Sequence, residues 1–349
     1  MALQSSSRLQ QDETTRQAAP ITASPSGGEG GGTVANVLRN EVLSFPENDS
    51  PERTTVSDTA NPEAEIQSAI DRAANNGGGA VIIGRNLPPW DTSSINHDLS
   101  VDHFMAGSES DGHNVRAYGA AGDGITDDQP AVARALDRAK QRLGRVYLPG
   151  GHTYYIGTQM SGSAGLTLYG DGWSSKVICP GQNAGAFKWR NGSAVDVIVR
   201  DLWFDVNSGN AFDSAVSFRG DTDGPVRISN CKFTDSGVND EGVTLEGILN
   251  QGCSNFLVEN CFLDGVQIKG AGREFAHENI RIINNTVVNS NKQGITAVVR
   301  DNGSLKGVSI EGNTVRGASL MGVFVGSDGS SQTGVQTKDI SVRNNNIRL

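Results

Sequence analysis

Two columns of polar and charged residues carry the chemistry this sequence could do. Six segments, AFKWRN at 186, AVSFRG at 215, GVTLEG at 242, GVQIKG at 265, GITAVV at 294 and GVFVGS at 322, have apolar second and fourth residues. In a β-strand those residues face one way. The opposite side then carries Lys188, Ser217, Thr244, Gln267, Thr296 and Phe324 in one column, and Arg190, Arg219, Glu246, Lys269, Val298 and Gly326 in the other. With strands stacked about 4.8 Å apart, Arg190, Arg219, Glu246 and Lys269 are expected to form a continuous charged strip. A planar guanidinium suits a carboxylate through paired hydrogen bonds, and a carboxylate set among cations can exchange a proton. The expected binding residues are therefore Lys188, Arg190, Arg219, Lys269 and Gln267, with Glu246 as acid or base. Asp240 and Asp264, with Asp213 and Glu241, fall just before strands of this face and are candidate second carboxylates. A solvated face in which Glu246 merely offsets its basic neighbours accounts for the same residues, and exposed pairs of that kind contribute only about 0–1 kcal/mol.

The elements that must position these residues come from an internal repeat. VIVRDLWF at 197, VRISNCKF at 226, FLVENCFL at 256, IRIINNTV at 280, VSIEGNTV at 308 and ISVRNNNI at 340 align, with Asp201, Asn230, Asn260, Asn284, Gly312 and Asn344 at the fifth position. The steps between them are 29, 30, 24, 28 and 32 residues, each suiting one coil of a solenoid. Asn, Asp and Gly there predict a tight turn in the left-handed backbone region, with side chains that hydrogen-bond up and down the column. Cys231 and Cys261 share one repeat position in neighbouring coils and read as reduced, stacked interior thiols. Inward positions of the chemistry-bearing strands read Phe187/Trp189, Val216/Phe218, Val243/Leu245, Val266/Ile268, Ile295/Ala297 and Val323/Val325. A one-residue slip would bury charges instead.

Upstream, Asn114 to Ile156 organises the chain. A Gly-rich turn, Gly119 to Gly124, leads into Thr126, Asp127 and Asp128, whose oxygens can cap a helix start, and Pro130 suits the first helical turn. Val132, Leu136 and Ala139 recur at helical spacing, and Val146-Tyr147-Leu148 then reads as strand. A helix that precedes a strand stack and cannot join it is expected to cover its open end. The run AYGAAGDGITDD, a helix, and then GRVYLPGGHTYYI resembles the opening segment of the pectate-lyase-like superfamily of right-handed parallel β-helices. The resemblance covers about residues 112–349, and its members most like this chain are bacteriophage tailspike and tail-fibre proteins.

That resemblance implies an all-β fold: a right-handed parallel β-helix capped by an N-terminal helix. It implies further that the charged strip lines a polysaccharide groove. Hydrolysis needs two carboxylates, about 5 Å apart for retention or roughly 6.5–9.5 Å for inversion. A lyase needs a base and a group that neutralises a uronate, for which Lys269, Arg273 and Arg219 are candidates. The polygalacturonase-type set of paired aspartates with Gly-His-Gly and Arg-Ile-Lys is missing, so whether the chain is a lyase, a hydrolase or no enzyme stays open. The expected role is a tailspike or tail-fibre component of the virion tail that binds, and in one reading depolymerises, bacterial surface polysaccharide during adsorption. The partners this implies are other tail proteins and two further copies in a homotrimer. A free secreted polysaccharide lyase or glycoside hydrolase, and a non-catalytic structural tail adaptor, are the alternatives.

Composition sets outer bounds. The 349 residues carry a formal net charge of −10, which argues against nucleic acid or an anionic membrane surface as partner. No run approaches a membrane span, and the N-terminus lacks the apolar core of a secretory signal. Neither metal nor cofactor is expected: the four cysteines have no zinc-like spacing, and Asp221-Thr222-Asp223-Gly224 starts like a calcium loop without its later ligands. Residues 1–60, rich in Ser, Thr, Gly, Gln and Pro, read as an extended or disordered arm. Residues 61–111 read as a small helix-strand module, offered as the virion-attachment segment: Ile66, Ala69, Ile70 and Ala73 form a helical stripe, and Ala80 to Ile83 a buried strand. Residues 112–349 form the β-helix. The chain stops in mid-repeat at Leu349, so a trimer mate, another chain or a further C-terminal part is expected to cover the last coil.

Overall fold

The protein is described by a computed structural model over residues 52–56, 61–75, 79–83, 101–105, 112–141, 144–179, 186–190, 194–206, 214–222, 224–235, 246–271, 276–290, 292–299, 303–327 and 336–349. Every strand pairing is parallel, and three strands recur per coil, building sheets of nine, nine and seven strands, here sheets I, II and III. Sheet I runs from His113–Asn114 to Gln336–Arg343, and sheet II from Asp123–Asp127 to Asn346–Arg348. Sheet III runs from Met160–Ser161 to Met321–Ser327. The chain is a parallel β-helix, as its sequence repeat requires.

The corner between sheets I and II has the expected geometry. Asp201, Asn230, Asn260, Asn284 and Asn344 have φ of 56°, 54°, 53°, 56° and 54°, and Gly312 has 66°. One left-handed residue turns the chain from sheet I to sheet II in each of these coils, and Asn230 Nδ2 donates to Asp201 Oδ1 at 3.2 Å. A second left-handed column leads into sheet I, where Asn279 Nδ2 donates to Asn255 Oδ1 at 2.9 Å. The residue after the corner points inward. Leu202, Cys231 and Cys261 are buried there, the cysteines as free thiols, and burial pushes the Cys231 thiol well up. In later coils Asn285, Asn313 and Asn345 take the same place. Asn285 Nδ2 donates to Asn313 Oδ1 at 3.0 Å, and Asn313 Nδ2 donates to Asn345 Oδ1 at 2.9 Å. Each of the first two also caps a backbone carbonyl one coil back. This interior amide ladder is hidden in sequence, because polar residues at an inward position look like a break in the pattern.

Aromatic rings fill the earlier coils, with Trp189 stacked on Phe218 at 4.8 Å and Phe204 on Phe233 at 5.3 Å between centroids. In the last described coil Ile340, Val342 and Ile347 hold the register of buried Val308, Ile310 and Val315, yet are themselves exposed.

At the opposite end a helix, Gln129–Gln141, packs on the 3-10 turn Val115–Tyr118 and the first strands of sheet I, burying Val132, Ala135, Leu136 and Ala139. Just before it, the Asp128 carboxylate accepts from the backbone N–H groups of Ala121, Gly122 and Tyr155. Burial pushes the Asp128 carboxyl above the ordinary range, and those three donors oppose the shift. Asp123 instead closes the exposed Gly-rich turn by accepting from the N–H groups of Ile125 and Thr126, which lower its carboxyl. Asp127 Oδ1 accepts from the Gln129 N–H at 3.0 Å and is the aspartate that caps the helix, whereas Asp128, expected as a cap as well, ties the Gly-rich turn to Tyr155 instead. His113 is buried and bonded to the Tyr118 hydroxyl at 2.8 Å, a packing role.

Before this cap lies a separate parallel sheet, β1 (Glu52–Val56), β2 (Gly79–Ile83) and β3 (Val101–Met105), with helix α1 (Pro62–Asn75). Ile66, Ala69, Ile70 and Ala73 are fully buried, as the helical stripe requires. β1 falls within the stretch expected as arm: Thr54 pairs with Val81, so the sheet draws its first strand from upstream of residue 61. The rest of the arm, residues 1–50, lies outside the described residues.

Candidate functional site

Sheet III carries three register shifts against one in sheet II, between Asp123 and Asp127, and most of the residues expected to do chemistry are found on it. Its strands after the first are Phe187–Arg190, Ser214–Thr222, Glu246–Cys253, Gln267–Ala271, Gln293–Val299 and Met321–Ser327. Register shifts interrupt the pairing between Arg219 and Thr222, between Glu246 and Ile248, and between Lys269 and Ala271. Such irregularities bend a strand and re-aim its side chains.

These shifts alter the expected columns. Lys188 pairs with Ser217 and Arg190 with Arg219, as the alternation predicts. In the next coil the partner of Val216 is Ile248 and the partner of Arg219 is Gln251, so the paired segment is GILNQG from Gly247. The GVTLEG segment chosen by apolar alternation lies, up to Leu245, outside the described residues. Glu246 therefore stands beside Ser214 and Gln267, five residues before the position opposite Arg219. At about 3.3 Å per residue this separates their backbones by roughly 16 Å along the strand. Lys269 pairs with Leu249 and Thr296, which puts it in the Lys188 column. The continuous strip of Arg190, Arg219, Glu246 and Lys269 is thus corrected. Arg190 and Arg219 stand side by side, Lys188 and Lys269 share the adjacent column, and Glu246 sits at the strand entrance. The paired segment breaks the apolar alternation, with Asn250 at the inward place opposite Phe218 and Leu249 outward, so alternation alone selects the segment before it.

The adjacent column is more enclosed than an open solvent face. Lys188 is 7 %, Ser217 1 % and Thr296 4 % exposed, and Gln267, two residues before Lys269 in the Glu246 column, is 2 % exposed, while Arg190 is exposed and Arg219 and Lys269 are half-buried. Ser217 Oγ, Gln267 Oε1 and Thr296 Oγ1 are buried atoms without a hydrogen-bond partner among the described residues. Inward-facing neighbours flank each of them, namely Val216 and Phe218, Val266 and Ile268, Ile295 and Ala297, so all three lie on the outer side of the sheet. A buried polar atom left without a partner costs about 1–3 kcal/mol, and such groups mark places where a ligand or ordered water completes the bonding.

The other candidates fall elsewhere. Asp264 ends the sheet II strand Phe262–Asp264, and its Oδ1 accepts from Asn289 Nδ2 at 2.9 Å. Asp240, with Asp213, Glu241 and Arg273, lies outside the described residues. Trp173 is half exposed in a 3-10 turn, with Phe262 5.8 Å and the Lys232 ammonium 5.5 Å from its ring. Among the described residues no cluster of His, Cys, Asp and Glu could hold a metal ion, and no helix is long and apolar enough to cross a membrane.

Residues 112–319 match the sequence family described as rhamnogalacturonase A/epimerase, pectate lyase-like. The chain belongs to this family. Solved structures similar to this pectate-lyase-like chain share little sequence with it. PfbA, a surface adhesin of Streptococcus pneumoniae, is 18% identical over 66% of this chain and 77% of its own, with a TM-score of 0.42. A mutant tailspike of Escherichia coli bacteriophage HK620, solved with a pentasaccharide, is 13% identical over 64% of this chain and 47% of its own, with a TM-score of 0.45. The A-module of a mannuronan C-5 epimerase from Azotobacter vinelandii is 14% identical over 68% of this chain and 97% of its own, with a TM-score of 0.30. The chain thus spans less than half of that tailspike. A comparison with curated proteins returns no match.

Proposed function

We propose that this chain is a tailspike or tail-fibre component of a bacteriophage virion tail whose β-helix binds an acidic bacterial surface polysaccharide along the outer side of sheet III. The observation that carries the binding reading is the coincidence, on that one side, of Lys188, Arg190, Arg219 and Lys269 with the unpartnered polar atoms of Ser217, Gln267 and Thr296. Guanidinium and ammonium groups suit the carboxylates of an acidic sugar chain, and hydroxyl and amide groups suit its hydroxyls. Family membership supports a sugar chain as the ligand, since the family's name is that of sugar-acting enzymes. The tail assignment draws on the polar segment before residue 51, which has little apolar surface to bury and suits attachment to a partner. In this reading the chain assembles as a homotrimer with other tail proteins, and Glu246 is the candidate for proton transfer, with Asp240 and Asp264 as alternatives.

The test uses the whole purified chain and a panel of acidic capsular polysaccharides, with binding followed by calorimetry and cleavage by chromatographic size. The expected result is binding that weakens with salt, because exposed charges are screened, and that falls about tenfold, about 1.4 kcal/mol, in Arg219→Ala. Glu246→Gln should leave binding intact and lower any cleavage by roughly 100-fold or more if Glu246 transfers a proton. Unchanged binding in an Arg190→Ala/Arg219→Ala protein would place the polysaccharide elsewhere. Sedimentation as a monomer, or normal virion incorporation after deletion of residues 1–50, would remove the trimer or the attachment reading respectively.

A further inference from the structure

The outer side of sheet I carries a groove of about 380 Å³ on its first coils, on a different sheet from the cations of sheet III. Its walls are Arg145, Tyr147, Thr167, Tyr169, Asp171 and Arg200, with Ile198 adding an apolar patch. Tyr147, Tyr169 and Arg200 hold one register column on successive strands. The two phenol rings stack at 5.1 Å with 24° between planes, and the Arg200 guanidinium lies 4.8 Å from the Tyr169 ring on its other side. This stack and an ion pair with Asp201 hold Arg200 in place. Arg145 and Thr167 form the neighbouring column, and the Arg145 side chain is exposed.

Asp171 closes one wall. Its Oδ2 accepts from the Tyr147 hydroxyl at 2.6 Å and from the Gly150 N–H at 2.7 Å, so two donors orient the carboxylate. Its Oδ1 has no hydrogen bond among the described residues and remains an acceptor for a ligand hydroxyl. Gly150 is required by this contact, because a Cβ there would meet Asp171 Cβ at 2.9 Å. The groove therefore offers two guanidinium donors, one oriented carboxylate oxygen, a threonine hydroxyl, and ring and Ile198 surface. A neutral saccharide would use the acceptor and the rings but leave the Arg145 cation unanswered, Arg200 being already paired with Asp201, whereas a bare anion would leave the rings unused. A saccharide unit that carries a carboxylate satisfies all of them.

We infer that this groove is a second saccharide site, specific for a uronate-type sugar and separate from the face of sheet III. It calls for no bond making or breaking, only binding. The probe is a galacturonate trisaccharide, with the matching neutral galactose trisaccharide as control, titrated into the full chain. The expected result is two sites per chain. Arg145→Ala/Arg200→Gln should remove one of them or weaken it at least tenfold, while Arg190→Ala/Arg219→Ala leaves that site in place. The neutral sugar should bind at least tenfold more weakly. Because Arg200 also braces Tyr169, Arg145→Ala alone, at an exposed side chain, is the second variant and should weaken the same site severalfold with unchanged thermal unfolding. A stoichiometry and affinity that neither groove variant alters, or complete loss of uronate binding in Arg190→Ala/Arg219→Ala, would overturn the second site. The latter result would leave the reading of sheet III standing. Equal binding of the neutral sugar would overturn its specificity for acid.

Discussion

The corner between sheets I and II and the outer side of sheet III solve opposite problems with similar residues. At the corner the Asn285–Asn313–Asn345 ladder answers each buried amide one coil away, and one left-handed residue turns the chain in each coil. On sheet III the register shifts at three strand pairs, and Ser217 Oγ, Gln267 Oε1 and Thr296 Oγ1 are buried without partners among the described residues. The corner accounts for the regular stacking, and it is also where the sequence repeat is clearest. Sheet III gives up regularity and bonding, which is the pattern expected where structure is held ready for a ligand.

The comparison can be broken most easily at the interior ladder. Asn313→Ala removes four hydrogen bonds to Asn285, Asn345 and the Ile282 carbonyl. It should lower the unfolding free energy by roughly 2–4 kcal/mol in a denaturant titration. A loss below about 0.5 kcal/mol, within the range of ordinary surface substitutions, would show that the ladder is decoration. Thr296→Val should act with the opposite sign. Exchanging an unpartnered buried hydroxyl for a methyl of similar shape should be neutral or stabilising by up to about 1 kcal/mol, while polysaccharide affinity falls severalfold. Destabilisation by that variant would mean the hydroxyl is already bonded in the free protein, and the contrast between the two regions would fade. The smallest effect is expected on the outer side of sheet I, where Glu311 accepts from the hydroxyls of Ser309 and Ser341 and from Arg343. The Ser309 hydroxyl first, and then Arg343, hold its carboxyl below the ordinary range. A lowered folded value means that its contribution is present above about pH 4.3 and is lost as pH falls through the folded value. The difference in Tm between wild type and Glu311→Gln should therefore be small at neutral pH and vanish on acidification. A difference that grows in acid would reverse the sign of the argument.

Periodicity made the stacked part of the fold legible. Asp201, Asn230, Asn260, Asn284, Gly312 and Asn344 predicted a left-handed turn because only such residues adopt it cheaply, and each has positive φ. The Asp127 cap and the stripe of the helix at Gln129–Gln141 were legible for the same reason: local backbone chemistry depends on residues a few positions apart. The site was legible only in part. Lys188, Arg190 and Arg219 lie where alternation puts them, since no bulge intervenes between their strands. The placement of Glu246 and Lys269 depended on Val216 pairing with a segment that carries Asn250 inward, which alternation passes over, and on the shifts at Glu246/Ile248 and Lys269/Ala271. The Tyr147–Tyr169–Arg200 stack was invisible for a related reason. Its members are 22 and 31 residues apart, and only the coiling of the chain brings three unlike side chains into one column. What the sequence by itself determined is the turn and the alternation, because both are local. Which coil stacks in which register, and so which cations share a face and which groove forms, was decided by the tertiary structure, because that choice is a competition between distant strands.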